Sequence, residues 1–217
     1  MSTHGIIACS TETGWCGRYY HWNGTPDVLG RELWKLYHGF FQENLLKMLG
    51  VLIDEHPAGW GDFADADWTL KPGFNEAPEE SQRPRCLCHG DRSEEEWKIA
   101  QDTPNDASYV FVLLGEKGGI PPMMVIYSRE LLLFADSREE GFYSRWYDIP
   151  KWYEIARISL SGEEPDWEVF ERLILKKELR RTWGKIGRAT QMHDTAELSY
   201  LREREMELKV HLQAEES

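Results

Sequence analysis

Gly17-Arg18-Tyr19-Tyr20-His21-Trp22-Asn23-Gly24-Thr25-Pro26-Asp27-Val28-Leu29-Gly30 is the stretch on which the fold turns. Its first half is rich in aromatics, which favour strands. Asn23-Gly24 is turn chemistry. Thr25 suits a helix N-cap, Pro26 the first helical position, and Asp27 the positive end of the helix dipole. A strand is therefore expected to pass through a polar bend into a helix. Upstream, Gly5-Ile6-Ile7-Ala8-Cys9 is a short apolar run that reads as a buried strand. Thr11-Glu12-Thr13-Gly14 then turns the chain toward a second strand at residues 18–22. Downstream, Leu29, Leu33, Leu36, Tyr37 and Phe40 keep helical spacing, and Leu45, Leu49, Leu52 and Ile53 resume it after a break near Gly39. Two helices, or one kinked helix, should end at His56-Pro57, because the residue before proline disfavours the α region.

Residues 54–80 carry eight acids and one lysine and are broken by Pro57, Gly59, Gly61, Pro72, Gly73 and Pro78. They read as an acidic loop pinned by Trp60, Phe63 and Trp68. Residues 108–114, 123–127, 131–134 and 143–149 read as four further strands, and 152–160 as another. Pro165-Asp166-Trp167 opens a helix. Lys176, Lys177, Arg180, Arg181, Lys185 and Arg188 follow, with Gly184 and Gly187 expected to interrupt it. Residues 190–213 form a last helix with Leu198, Leu201, Leu208 and Leu212 along one seam and Glu205 spoiling it. The predicted architecture is α+β: a largely antiparallel sheet with early helices on one face, and a C-terminal helical extension. The body spans 1–163 and the extension 164–217.

The bulk numbers narrow the function classes. The chain has 217 residues, 41% hydrophobic residues, ten Trp and a net charge of -13. That is enough apolar material for a core. The negative charge argues against sequence-specific nucleic-acid binding and against an anionic membrane surface, and favours a protein partner. No run approaches the ~18 apolar residues of a spanning helix. No charged start precedes an apolar stretch, and four cysteines without a signal read as reduced thiols. A cytoplasmic setting is expected, or a host cytoplasm if the source is a virus.

Tyr20, His21, Trp22, Asn23 and Asp27 form the first candidate site, for a nucleotide-like or other small ligand. Free N–H groups at a helix start favour an anion, aromatics can stack on a ring, and His21 can act as acid or base. The same residues also serve a plain strand-to-helix turn. Gly5-Ile6-Ile7-Ala8 followed by Gly17-Arg18-Tyr19-x-His21-Trp22-Asn23-Gly24-x-Pro26, and Cys86-x-Cys88-His89-Gly90-Asp91-Arg92 further on, resembles a group of uncharacterised proteins from actinobacteria and their phages. In that group the corner reads Trp-Asp-Gly-Tyr-Pro, so Asn23 and Thr25 replace an acid and an aromatic. The resemblance covers roughly residues 5–92 and implies a phage or mobile-element context. It carries no established activity.

Cys86, Cys88 and His89 form the second candidate, for zinc. In an extended segment Cys86 and Cys88 share a side and His89 points away. A further ligand has to come from Cys9, Cys16, His56 or His38. Ordinary thiols are the alternative, as is a catalytic Cys88. Ser2 is a candidate N-terminal nucleophile if Met1 is removed. Asp54, Glu55, Asp62, Asp65 and Asp67 do not keep calcium-loop spacing, and no phosphate loop, nucleotide fingerprint or serine elbow occurs. With no complete catalytic set legible, two functions are expected. The first is a phage or prophage accessory protein that binds a protein partner, either a host defence component or a site-specific recombinase whose direction it modulates. The second is a small-ligand protein or hydrolase using the Tyr20–Asn23 corner.

Overall fold

A computed structural model describes residues 3–73, 82–89, 98–129, 150–193 and 195–214. The expected strands at 131–134 and 143–149 and the turn between them lie outside the described residues, as does Ser2. The chain divides into two compact units, whose described parts are 3–129 with 150–165, and 166–214.

The first unit is built on one sheet. β1 (Gly5–Thr11) and β2 (Gly14–Tyr20) pair as a hairpin, from Gly5↔Tyr20 to Thr11↔Gly14, closed by a two-residue turn at Glu12-Thr13, so the second strand begins at Gly14 rather than at the expected residue 18. β3 (Trp60–Asp62), β4 (Arg85–Cys86), β5 (Lys98–Ala100), β6 (Tyr109–Leu114), β7 (Met123–Arg129) and β8 (Trp152–Ser159) complete it. The order is β4-β3-β2-β1-β6-β7-β8, with β5 also against β2. β1 runs parallel to β6 and β2 parallel to β3, and the other pairs are antiparallel. The α+β class thus holds. The connection from β2 to its parallel neighbour β3 cannot be a tight turn; it needs a crossover, and helices supply it.

The crossover follows the sequence closely. Asn23 takes the left-handed conformation at φ 53°, which Asn tolerates better than most residues. Gly24 is required by packing: a Cβ there would meet the Gly5 backbone nitrogen at 2.4 Å. A wide π-type turn at Pro26–Gly30 leads into α1 (Arg31–His38), which stops at Gly39. Asn44 caps α2 (Leu45–Leu49) by accepting from Lys47 N–H, and a second wide turn covers Gly50–Asp54. Leu29, Leu33, Met48 and Leu52 are fully buried. Each such burial contributes roughly 1.5–3 kcal/mol. Two bonds tie the helical segment to the sheet. The Arg18 Nε–H donates to the Ile53 carbonyl at 2.7 Å, and the Trp60 indole N–H donates to the Leu52 carbonyl at 2.8 Å.

Alternation along the hairpin gives the sheet two faces. Ile6, Ala8, Trp15 and Tyr19 point to one and form a cluster with Val110, Val112, Val125, Ile99 and Ala107. Cys16, Arg18 and Tyr20 point to the other. Two expectations need correction here. The second strand ends at Tyr20 rather than Trp22: His21 and Trp22 still donate to the Trp60 and Gly61 carbonyls at 3.0 Å, but the chain bends at Trp22 and turns left-handed at Asn23. The supposed loop after Pro57 holds β3: Trp60 is completely buried and pairs with Tyr20 on one side and Cys86 on the other.

The second unit contains a helical hairpin. α3 (Trp167–Met192) is capped by Asp166, whose carboxylate accepts from Val169 N–H at 3.0 Å. Gly184 and Gly187 do not interrupt it. The break comes at His193, in the left-handed region at φ 57°, three residues later than expected, and α4 (Thr195–Ala214) follows. The seam is real: Leu201 and Leu208 are buried, and Ile186, Ala189 and Leu201 share a cluster. Glu205 does not spoil it. Its carboxylate accepts from Trp183 Nε1–H at 3.0 Å and from Lys209 Nζ at 2.6 Å, which hold its carboxyl below the ordinary value. Buried Glu178 meets Arg204 Nη2 at 3.3 Å.

Candidate functional site

His56, Cys86 and Cys88 converge. One imidazole nitrogen and two sulfurs lie within 4.8 Å of one another, a group that could hold a metal ion. The local chain explains how. The helical segment ends at Asp54, and His56 follows just before Pro57. Gly59 then folds the chain back at φ +87°, donating its N–H to the His56 carbonyl at 3.0 Å. Only glycine fits: a Cβ at Gly59 would sit 2.6 Å from the Tyr19 carbonyl oxygen. The Gly59 carbonyl accepts from Leu87 N–H at 3.0 Å, which holds the second loop against the first.

That second loop departs from expectation. β4 ends at Cys86 and the chain closes into a 3₁₀ turn over Leu87–His89. The tight turn, not an extended segment, brings the Cys88 sulfur round to Cys86. The Cys88 N–H donates to Cys86 Sγ at 3.3 Å, and the Ala58 N–H donates to Cys88 Sγ at 3.2 Å. Cys86 and His56 are buried and Cys88 is half-buried. Tetrahedral zinc, with Zn–S near 2.3 Å and Zn–N near 2.0–2.1 Å, needs donors about 3.7 Å apart, so the three donors close by about 1 Å at most. Two thiolates and a neutral imidazole also cancel a divalent charge, which suits a buried place.

The other sequence candidates for a ligand go elsewhere. Cys9 and Cys16 face each other across the β1–β2 hairpin. His38 stacks on Trp34 with ring centroids 3.9 Å apart and meets Glu43 at 3.2 Å.

The corner residues divide. Tyr20 belongs to the core, as alternation along β2 requires. It is fully buried, and its hydroxyl donates to Asp62 Oδ1 at 2.7 Å. Burial, with the neighbouring Asp62, raises its pKa far above the ordinary value, so it stays a neutral donor. Tyr20 is therefore no part of an exposed ligand corner. His21 is half-buried, Trp22 is 43% exposed and Asn23 is exposed. Asp27 is half-buried with its Oδ1 sealed and without a hydrogen-bond partner.

What His21 joins was not legible from sequence. Its ring stacks on His4 at 4.8 Å and 18° and meets Trp22 edge-on at 4.5 Å. His4 Nδ1 lies 2.8 Å from Asp106 Oδ2, and the Tyr19 hydroxyl donates to Asp106 Oδ1 at 2.8 Å. Burial pushes the Asp106 carboxyl up, but the hydrogen bonds from His4 and Tyr19 outweigh it and hold it below its ordinary value. An ionised Asp106 fixes the His4 tautomer with Nδ1 protonated, leaving Nε2 as the basic atom. Parallel pairing of β1 and β6 makes the cluster: Gly5 lies opposite Tyr109, so the residues just before each strand meet. His4 and Asp106 are 102 residues apart, and only the sheet order joins them.

No helix among the described residues is long and apolar enough to cross a membrane. No protein-family model matches the chain, and no curated protein and no solved structure matches it significantly.

Proposed function

We propose that this chain works by binding a protein partner, with a zinc ion at His56, Cys86 and Cys88 fastening the β3–β4 edge of its sheet. Three protein donors leave the fourth tetrahedral position to water, and zinc held there acts as a clip. It joins two loops about 30 residues apart whose strands, three and two residues long, are too short to hold each other by pairing alone. The accessory role suggested by the actinobacterial and phage resemblance fits this reading, including a defence component or a recombinase as partner.

The observation that carries partner binding is the surface of the helical hairpin. Trp183 is 48% exposed, and Leu173, Met206 and Val210 are more than half exposed among dense charges. An exposed tryptophan on a hairpin that also exposes aliphatic side chains is the composition of interface anchors. The test uses the full chain as bait in lysate of its source organism, beside a Trp183→Ala, Met206→Ser double variant. Loss of a retained protein in the variant supports the reading. An identical retained set removes the hairpin from it.

A second reading rests on the His4–Asp106 pair. A tautomer-locked His4 stacked on His21, which itself meets the exposed Trp22, suits a ring-bearing ligand that stacks and gives up a proton. A ligand present at 100 times its dissociation constant raises stability by about 2.7 kcal/mol. A panel of nucleotides and nucleosides producing no melting shift counts against this site.

A further inference from the structure

We propose that Cys9 and Cys16 are a redox modification site, closing reversibly to a disulfide across the central hairpin. The two residues are direct cross-strand partners, and their sulfurs lie 3.9 Å apart. Facing residues of an antiparallel pair have Cα atoms roughly 4.5–5.5 Å apart, inside the span that a disulfide bridges without backbone movement. The sulfurs need to approach by only about 2 Å, a side-chain rotation. Both residues are half-buried rather than sealed, so a small oxidant reaches them. The second thiol pair is different: Cys86 is fully buried and its sulfur already accepts from the Cys88 N–H.

The two sulfurs are not equivalent. The Cys9 thiol donates to the Cys16 carbonyl at 3.6 Å, so its proton is held. Burial, then the Cys16 sulfur beside it, pushes its pKa up to about 11. The Cys9 proton is engaged on the Cys16 carbonyl, which makes Cys9 the resolving thiol and Cys16 the attacking one. With hydrogen peroxide as oxidant, the Cys16 thiolate attacks one peroxide oxygen and the O–O bond breaks. Hydroxide leaves, takes up a proton and becomes water, and Cys16 is a sulfenic acid. The Cys9 sulfur then attacks the Cys16 sulfur. The S–S bond forms, the S–O bond breaks, and the departing hydroxide takes the Cys9 proton as a second water. Two thiols lose two electrons and two protons, and one peroxide becomes two waters. A dithiol reductant reverses the change by exchange.

The test treats the full-length, metal-loaded chain with graded hydrogen peroxide, quenches by alkylation, and reads intact mass and linked peptides. The expected product has lost two hydrogens, carries the link between the peptides of Cys9 and Cys16, and reverts with dithiothreitol. In Cys9→Ser, Cys16 stops at the sulfenic acid and is trapped by dimedone. Oxidation of Cys16 in the wild type to sulfinic acid without the linked product overturns the proposal. So does a link that maps only to Cys86 and Cys88.

Discussion

The backbone N–H of Ala58 donates to the sulfur of Cys88 at 3.2 Å, across a sequence gap of 30 residues. Together with the Leu87 N–H to Gly59 carbonyl bond, it joins the loop that carries His56 to the loop that carries the two cysteines. It places a donor where a zinc thiolate needs its outer support, since groups that hold the ligands tune a site almost as strongly as the ligands do.

Metal removal follows first. His56→Ala, Cys86→Ser and Cys88→Ser should each abolish stoichiometric zinc. In the wild type, free zinc at 100 times its dissociation constant should raise stability by about 2.7 kcal/mol, and the three variants should show no rise. Acid should release the metal, because protons compete for the thiolates. Melting curves with and without a chelator check this.

Gly59→Ala should act at two levels. The backbone at φ +87° is strained for alanine, at about 1–3 kcal/mol, before any displacement of the Tyr19 carbonyl is counted. Zinc affinity should fall with stability, because the same turn presents His56. Denaturant midpoints and a zinc competition assay read the two effects. Wild-type affinity in a destabilised variant would detach the turn from the site.

The pH prediction rests on Asp106. Its pKa is lowered in the folded protein by His4 and Tyr19. The ionised form is then favoured by folding, and the stabilisation is present above the unfolded carboxyl pKa. It is lost as pH falls through that value and toward the lower folded one, in a window beginning near about pH 4 to 5. Asp106→Asn should flatten this acid limb and weaken the chain at pH 7 by about 1.5–3 kcal/mol, the usual worth of a hydrogen bond to a charged group. Tyr19→Phe removes a hydrogen bond to the same ionised carboxylate and should cost about 1.5–3 kcal/mol at pH 7. Urea melts between pH 3 and 7 decide it.

The helical hairpin separates structure from recognition. Leu201→Ala or Leu208→Ala removes a buried seam residue and should cost about 2–5 kcal/mol in the hairpin. Met206→Ala, on the exposed side, should change stability by less than about 0.5 kcal/mol yet reduce partner capture. Amide exchange along α4 reads the first effect and a pull-down reads the second.

Local signals carried much of the fold. The hairpin, the Asn23-Gly24 bend and the stop at Gly39 were legible, because turn and cap chemistry act over a few residues; the helical segment ends at Asp54, two residues before the expected His56-Pro57. So was the leucine seam of α4. Gly184 and Gly187 misled as breakers, since two exposed glycines cost a long helix only about 1 kcal/mol each. β3 was hidden among acids and glycines, and Trp60 was taken for an anchor of a loop. At the site, the Cys-x-Cys pair was legible, and His56 stood among four possible additional ligands. Choosing between them required the fold of Gly59. The His4–Asp106–Tyr19 cluster had no signal in one dimension, because parallel pairing of β1 with β6 creates it.

X-ray absorption at the zinc edge of the purified full chain tests the central claim most directly. The account predicts one zinc per chain with two sulfur neighbours near 2.3 Å and an imidazole nitrogen near 2.0–2.1 Å, and loss of one sulfur in Cys88→Ser. A chain purified with zinc in the buffer that carries no stoichiometric metal, or a metal shell made of oxygen and nitrogen alone, would contradict it.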